Sequence, residues 1–322
     1  MSYVLKSCFG EKIRQFIELK KRLGYKIKSQ TWYLREIDSA ALRFKCNTPG
    51  ITMGFAEHFA LLKENETLEN RYNRVRTLKV FSIFLNDIGI DSYVPETPPY
   101  VENLFTPYIY SEAQLKAILK FADNLIVPSS TEKSSRTFVF PSLIRLLIST
   151  GIRVGEATNL KVDNIDFNEK TIKIENSKNG KERLLPITDS MCEVLAEQKR
   201  SRDLFCRHGA KSKFLFVDIE GGQVDSQCLS YDFPKILESA GLKFKGRSKS
   251  PRVHDFRHTF AVRALDKMVA SGMDPNNILP VLAAYLGHTS IESTQRYLKL
   301  SAYAYPYFTD QLEELASQMF PR

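Results

Sequence analysis

Apolar positions recur at three- to four-residue spacing through the first ninety residues, the period of helices with one buried side. Phe9, Ile13, Phe16 and Ile17 mark a first helix whose other faces carry Lys12, Arg14, Lys20, Lys21 and Arg22, and Gly24 fits its stop. Ser29 is the expected cap of a second helix carrying Trp32, Leu34, Ile37, Ala41, Leu42 and Phe44, which Pro49-Gly50 breaks. Thr52 starts a third through Phe55, Phe59 and Leu62. A fourth runs from about Thr67 to Asp87 on the stripe Leu68, Tyr72, Val75, Leu78, Phe81, Phe84 and Leu85. Arg71, Arg74, Arg76 and Lys79 occupy its remaining face, and the plain reading of such charges is a solvated surface. These four helices make a module over residues 1–95.

Pro95, Pro98, Pro99 and Pro107 then crowd one short stretch. Proline cannot continue a helix, so residues 96–109 are expected to be an extended connector and residues 110–322 a second domain. That domain opens on the cap Ser111-Glu112-Ala113-Gln114 and a helix through Ile118 and Phe121. A polar surface loop, Pro128 to Arg136, precedes a helix over Val139 to Ser149. After Leu160 the period falls to two. Val162 to Phe167, Thr171 to Glu175 and Arg183 to Ile187 predict a three-stranded antiparallel sheet, with Asn168-Glu169-Lys170 and Lys178-Asn179-Gly180 at its turns. Helices resume near Asp189 to Lys199 and Tyr231 to Ala240, with a short strand expected at Phe214 to Val217. The fold class is therefore mainly α with a small antiparallel β-sheet.

Composition narrows the function classes only slightly. The 322 residues hold 46 Lys and Arg against 37 Asp and Glu, a net charge of +9, which fits a nucleic-acid partner without demanding one. Cys8, Cys46, Cys192, Cys206 and Cys228 are scattered, with no C-x-x-C pair, so neither a disulfide framework nor a zinc site is suggested. No apolar run nears the ~18 residues of a membrane span, and the N-terminus lacks a signal-peptide core. A soluble, cytoplasmic protein with no membrane partner is expected.

Chemistry gathers between His254 and Tyr297. The run His254-Asp255-Phe256-Arg257-His258-Thr259-Phe260 is followed by Leu286-Gly287-His288, and Tyr297 stands nine positions after His288. Upstream lie Gly151-Ile152-Arg153-Val154-Gly155-Glu156 and the basic hairpin Ser177-Lys178-Asn179-Gly180-Lys181-Glu182-Arg183. Taken singly, each residue has an ordinary explanation: an exposed arginine, a solvated turn lysine, a packed histidine, one tyrosine among 14.

Their joint order resembles the tyrosine recombinase (phage integrase) family, whose catalytic domain carries Arg, Lys, His-x-x-Arg, His and Tyr in that sequence. The resemblance covers about Tyr110 to Leu300, and weakly the helical module, which looks like the family's SAM-like core-binding domain. It implies a two-domain, C-shaped clamp on DNA and a catalytic set of Arg153, Lys178, His254, Arg257, His288 and Tyr297. Arg153 and Arg257 would neutralise charge on the non-bridging oxygens of a scissile phosphate. Tyr297 would attack phosphorus and form a 3′-phosphotyrosyl ester, with Lys178 protonating the departing 5′-oxygen. His254 is assigned acid–base work, His288 a hydrogen bond to the phosphate, and Glu156 an orienting contact to Arg153. Lys178 is preferred over Lys181 by its place before Asn-Gly-Lys-Glu-Arg, a departure from the commoner Gly-Lys-Gly loop. Tyr285, Tyr303, Tyr305 and Tyr307 lack the family spacing from His288, and His258 falls outside the set.

No cofactor is implied, neither metal nor ATP, because the bond energy is kept in the protein–DNA ester. The implied partners are double-stranded DNA with inverted half-sites and a homotetramer on that DNA. The C-terminal stripe Leu312, Leu315, Ala316 and Phe320 suits either exchange between protomers or closure of its own domain. Other readings stay in view: a type IB topoisomerase-like relaxing enzyme, a non-catalytic DNA-binding protein, and a zinc peptidase built on His254 and His258, with Asp255 where a Glu belongs and Arg257 between the ligands. Without a further N-terminal arm-binding domain, a simple recombinase or mobile-element transposase is favoured over an arm-site phage integrase.

Overall fold

The computed structural model describes residues 4–25, 27–100, 106–125, 135–175, 182–246, 250–288, 294–295 and 297. Lys178 and Lys181, most of the expected 128–136 loop and the C-terminal stripe lie outside these residues. The chain divides into two compact units, Met1–Phe105 and Thr106–Arg322.

The first unit is built from α1 (Gly10–Arg22), α2 (Lys28–Phe44), α3 (Met53–Ala60) and α4 (Leu68–Asp87). Interlocking rings fill its centre: Phe9 meets Phe55 and Phe81, and Phe16 meets Phe81 and Phe84, at centroid separations of 5.2–6.2 Å. Thr52 and Thr67 cap α3 and α4 by accepting the Phe55 and Asn70 N–H groups at 3.3 and 3.2 Å.

Besides Leu62, which lies beyond the end of α3, and Leu68, both of them exposed, three expectations change here. The second helix starts after Ile27 with no side-chain cap, so Ser29 lies inside it. Its buried stripe is Leu34, Ile37, Ala40 and Ala41, whereas Trp32, Leu42 and Phe44 are exposed. Trp32 sits two residues, or about 200°, round the helix from Leu34 and so faces away. The third change is Arg74, which is fully buried rather than solvated. Its Nε and Nη2 donate to the Glu66 carboxylate at 2.8 and 2.7 Å, its Nη2 and Nη1 bond the Leu61 and Phe59 carbonyls, and it lies over the Phe59 ring. A buried guanidinium must be paired and hydrogen-bonded, and here it is both.

The second unit begins with α5 (Glu112–Asp123), where Ser111 and Gln114 close a capping box. The apolar helix α6 (Arg136–Thr150) runs through its core, followed by the short α7 (Val154–Thr158). The strands are β1 (Ile165–Asp166), β2 (Thr171–Ile174) and β3 (Arg183–Pro186), antiparallel in the order β1-β2-β3. Ile172, Ile174 and Leu185 point inward and Lys173 and Leu184 outward, the period of two that the pattern implied. Residues 162–164 form a single 3₁₀ turn instead of strand. Phe214 to Val217 contributes two isolated bridges, Phe214 to Lys161 and Val217 to Gln223, rather than a strand.

The helices α8 (Asp189–Phe205), α9 (Cys228–Ser239), α10 (Asp255–Ala270) and α11 (Pro275–Leu286) complete the unit. One apolar cluster joins α5, α6, α9 and the sheet. A second lies between α10 and α11 and includes Val262, Leu265, Leu282 and Tyr297. Among the described residues no helix is long and apolar enough to cross a membrane.

Candidate active site

Arg153 owes its place to a sharp stop in α6. Gly151 takes a left-handed conformation at φ 60°, and a Cβ there would sit 2.5 Å from the Phe260 ring. Only glycine meets both conditions. The turn buries Ile152 and leaves Arg153, extended at φ −69° and ψ 142°, as the residue that opens α7.

One turn further on, the Glu156 carboxylate is saturated by two arginines. Its Oε1 accepts from Arg153 Nη1 at 2.9 Å and Arg183 Nη1 at 3.2 Å. Its Oε2 accepts from the Arg153 N–H at 3.1 Å and Arg183 Nη2 at 2.7 Å. Burial pulls this carboxyl upward, but the Arg183 hydrogen bonds and the charges of Arg183 and Arg153 outweigh it and leave the pKa below the ordinary value. Glu156 therefore stays ionised at neutral pH. Arg183 was not expected in the site. Its spacing from Glu156 and Tyr285 carries no local signal, and only its place in the basic hairpin pointed near it.

A second meeting point is the end of α11. Gly287, left-handed at φ 68°, turns the chain so that three successive carbonyls face three guanidiniums. Arg183 Nε donates to Tyr285 O at 2.9 Å, Arg257 Nη2 to Leu286 O at 2.6 Å and Arg153 Nη2 to Gly287 O at 3.2 Å. A helix C-terminus has unsatisfied carbonyls and the negative end of the helix dipole, so cations belong there. Arg257 also donates through Nη1 to Gly151 O at 2.9 Å. Burial and the neighbouring Arg153 pull Arg257 down to about 10, with Tyr297 and Glu156 opposing, so it remains a full cation at neutral pH.

His254 stands at the N-terminus of α10. The protein packed around it and the charges of Arg257, Arg252 and Arg153 push it down to about 4. The side chain keeps an open face to solvent, so water moderates the dehydration and the downward direction is what the chemistry uses. A neutral imidazole at physiological pH can accept a proton. The adjoining Asp255 is fully buried, accepts the Arg252 N–H at 2.7 Å, and is raised to about 6 by burial. Thr259 ties this turn to the start of the unit: its hydroxyl donates to Asp255 O at 2.8 Å and accepts the Tyr110 N–H at 3.0 Å.

The histidines and Tyr297 form a row of rings. His254 meets His258 edge to face at 4.9 Å, His258 lies 5.7 Å from Tyr297, and Tyr297 stacks on His288 at 6.0 Å with planes 21° apart. The Nδ1 of His288 and the Thr294 hydroxyl share a hydrogen bond of 2.7 Å. Tyr297 is only 1% exposed, with Leu286 and Val262 in its cluster. Of the six candidate residues, five are thus gathered around the C-terminus of α11, while Lys178 lies outside the described residues. His258, left out of the set from sequence, packs between His254 and Tyr297.

Comparison with known proteins assigns the family. Residues 109–303 match the phage integrase family. The protein y4rB of Sinorhizobium fredii, named as an integrase/recombinase, is 31% identical over 295 residues, covering 91% of this chain and 93% of that one. The chain belongs to the phage integrase family, the tyrosine recombinases. Tyrosine recombinase XerC of Staphylococcus carnosus is 27% identical over 237 residues, 73% of this chain and 71% of its own. The fold is shared with the Tn1549 transposon integrase solved with transposon right end DNA, at a TM-score of 0.61 and 17% identity, covering 94% and 99% of the two chains.

As a tyrosine recombinase the protein is a site-specific DNA strand transferase and binds DNA. This membership replaces the zinc-peptidase reading of His254 and His258, and it disfavours the relaxing-enzyme and binding-only alternatives.

Proposed function

We propose that Tyr297 is the nucleophile and that Arg153, Lys178, His254, Arg257 and His288 form the rest of the catalytic set. The Tyr297 oxygen attacks the scissile phosphorus, the bond from phosphorus to the 5′-oxygen breaks, and a 3′-phosphotyrosyl ester remains. Lys178 gives its proton to the departing 5′-oxygen. A 5′-hydroxyl from the exchanging strand later attacks the ester and restores Tyr297. Each step conserves one phosphoester bond, so no nucleotide hydrolysis is needed.

The two arginines hold the non-bridging oxygens with fixed charge as the transition state forms. A phenol with an ordinary pKa near 10 needs help in losing its proton, and the neutral His254 and the cationic field supply it. The observation that carries this reading is the Tyr297 ring lodged between the rings of His258 and His288, in the same pocket of charge as Arg257. The substrate is duplex DNA with inverted half-sites, and the working form is a tetramer on DNA. Residues 1–95 and 110–322 act as core-binding and catalytic domains joined by the 96–109 linker, and the segment beyond Tyr297 packs onto a neighbouring protomer.

The test is a nicked suicide substrate. Wild-type protein traps a covalent adduct in the presence of EDTA, and Tyr297→Phe traps none while binding the same DNA. An adduct persisting in the variant would assign the chemistry to another tyrosine, and loss of wild-type cleavage in EDTA would require a metal. Deleting the chain beyond Lys299 should weaken assembly on DNA by gel filtration, and unchanged assembly would refute the exchange.

A further inference from the structure

Arg183 lies at the centre of the site without a role in the strand-transfer chemistry. It begins β3 opposite Ile174 of β2, and its side chain is 11% exposed. All three of its guanidinium nitrogens are committed to the protein: Nε to the Tyr285 carbonyl, Nη1 and Nη2 to the two oxygens of Glu156. Arg153, with a side chain 24% exposed, shares that same carboxylate and the same helix end. The two arginines therefore divide the work. Arg153 keeps an open side from which a phosphate can be met, whereas Arg183 is spent on holding what Arg153 rests on.

We propose that Arg183 is a positioning residue for strand exchange: by clamping Glu156 against the C-terminus of α11, it sets the Arg153 guanidinium where the non-bridging oxygens of the scissile phosphate arrive. This rests on the assignment of Arg153 to those oxygens.

The geometry accounts for the choice of residue. Glu156 is a buried carboxylate that must hold one arginine in a fixed pose while staying ionised. A single partner would leave Oε1 and Oε2 half-satisfied and free to pivot. The planar fork of Arg183 takes both oxygens at once, and its Nε adds a third fixed point on the Tyr285 carbonyl. Lysine has one charge centre and no fork, so it cannot span Glu156 and α11 together. The packing at Gly287 is equally tight. A Cβ there would approach Arg183 Nη1 to 2.8 Å, so the αL glycine that presents the α11 carbonyls also makes room for this guanidinium.

The test compares two DNA substrates in single-turnover cleavage. One carries an ordinary scissile phosphodiester and the other a methylphosphonate, which lacks the non-bridging negative charge and so needs no cation in its place. On the phosphodiester, Arg183→Gln is expected to slow cleavage on the order of 100-fold, the size of losing one oriented charge-stabilising group. On the methylphosphonate its deficit should shrink to a few-fold, in step with Arg153→Ala, and DNA affinity should hold throughout. Arg183→Lys, which keeps the charge, should show the same substrate-dependent rescue, and it is the variant to read if Arg183→Gln does not fold. Rescue of Arg153→Ala but of neither Arg183 variant would overturn the proposal alone. Failure to rescue Arg153→Ala would overturn the phosphate assignment of Arg153 and the proposal with it.

Discussion

The Arg257 guanidinium donates to the Leu286 carbonyl at 2.6 Å while its other arm holds Gly151 O, so one side chain joins the end of α6 to the end of α11. It is both a cation of the site and a brace of the frame around it. Arg257→Lys keeps the charge and loses the span. Cleavage in a single-turnover assay should fall by roughly 10²- to 10³-fold, as when an oriented donor to a transition state is removed. DNA binding should change far less. A variant cleaving within a few-fold of wild type would show that charge alone suffices.

At Gly151 the backbone and the packing set separate limits. Gly151→Ala imposes a left-handed conformation on alanine and drives its Cβ into Phe260. A loss of about 1–3 kcal/mol is expected from strain and overpacking together. In Gly151→Ala/Phe260→Ala the ring is gone, leaving the backbone strain and a 3.2 Å contact with the Cβ of residue 260. Urea unfolding should therefore show the alanine costing less in the Phe260→Ala background than in wild type. Equal costs would rule out the ring as the obstacle.

Asp255 makes stability depend on pH in an unusual direction. Its folded pKa is raised from 3.8 to about 6, so the folded state holds a proton that the unfolded chain has released. Its contribution is most favourable below 3.8 and is lost as pH rises through about 6. His254, lowered from 6.5 to about 4, works oppositely: stability from its neutral form is present above 6.5 and lost as pH falls toward 4. Asp255→Asn keeps an oxygen for the Arg252 N–H and removes one of the two slopes. Relative to wild type, the variant should gain about 1–1.5 kcal/mol of stability between pH 5 and pH 7, roughly half of the full effect of a shift near two pKa units. Chemical denaturation at both pH values measures it, and a difference independent of pH would refute the titration.

In the first unit, Arg74→Ala would strand the Glu66 carboxylate in the interior. A loss of about 3–5 kcal/mol is expected, read as a lowered melting temperature of the four-helix unit in a thermal scan. Replacing both partners by apolar residues, Arg74→Met with Glu66→Leu, should recover most of it. If the single and double variants melt together, the pair is not acting as a unit.

The residues proposed for catalysis are legible in the chain because the chemistry implied by the family resemblance asks for a particular side chain at each step. Arg153, His254, Arg257, His288 and Tyr297 declare themselves by type and order. The sheet declared itself through alternation, with Ile172 and Leu185 inward. What hid was decided by contacts far apart in sequence. Arg74 looks like any exposed helix charge until Glu66 and the Phe59 and Leu61 carbonyls fold around it. Arg183 looks like a hairpin residue until Glu156 and Tyr285 reach it. Hydrophobicity alone marks Trp32 and Leu42 as core, yet helix geometry turns them outward, while Phe44, on the Ile37 face of the last turn, keeps one edge on Phe55 and the rest exposed.

The acceptors at the end of α11 are main-chain carbonyls, and every residue type has one. Drift at Tyr285 or Leu286 alters a side chain and leaves the oxygen that Arg183 or Arg257 holds. The arginines therefore constrain no side chain at these two positions, and what limits them is packing alone: Leu286 is buried beside Tyr297 and Tyr285 stacks on Phe260. The exception is Gly287, where any added carbon meets Arg183 and fights the backbone angle. Apolar replacements of similar size should thus be tolerated at 285 and 286 and none at 287, the one residue there whose function is to have no side chain.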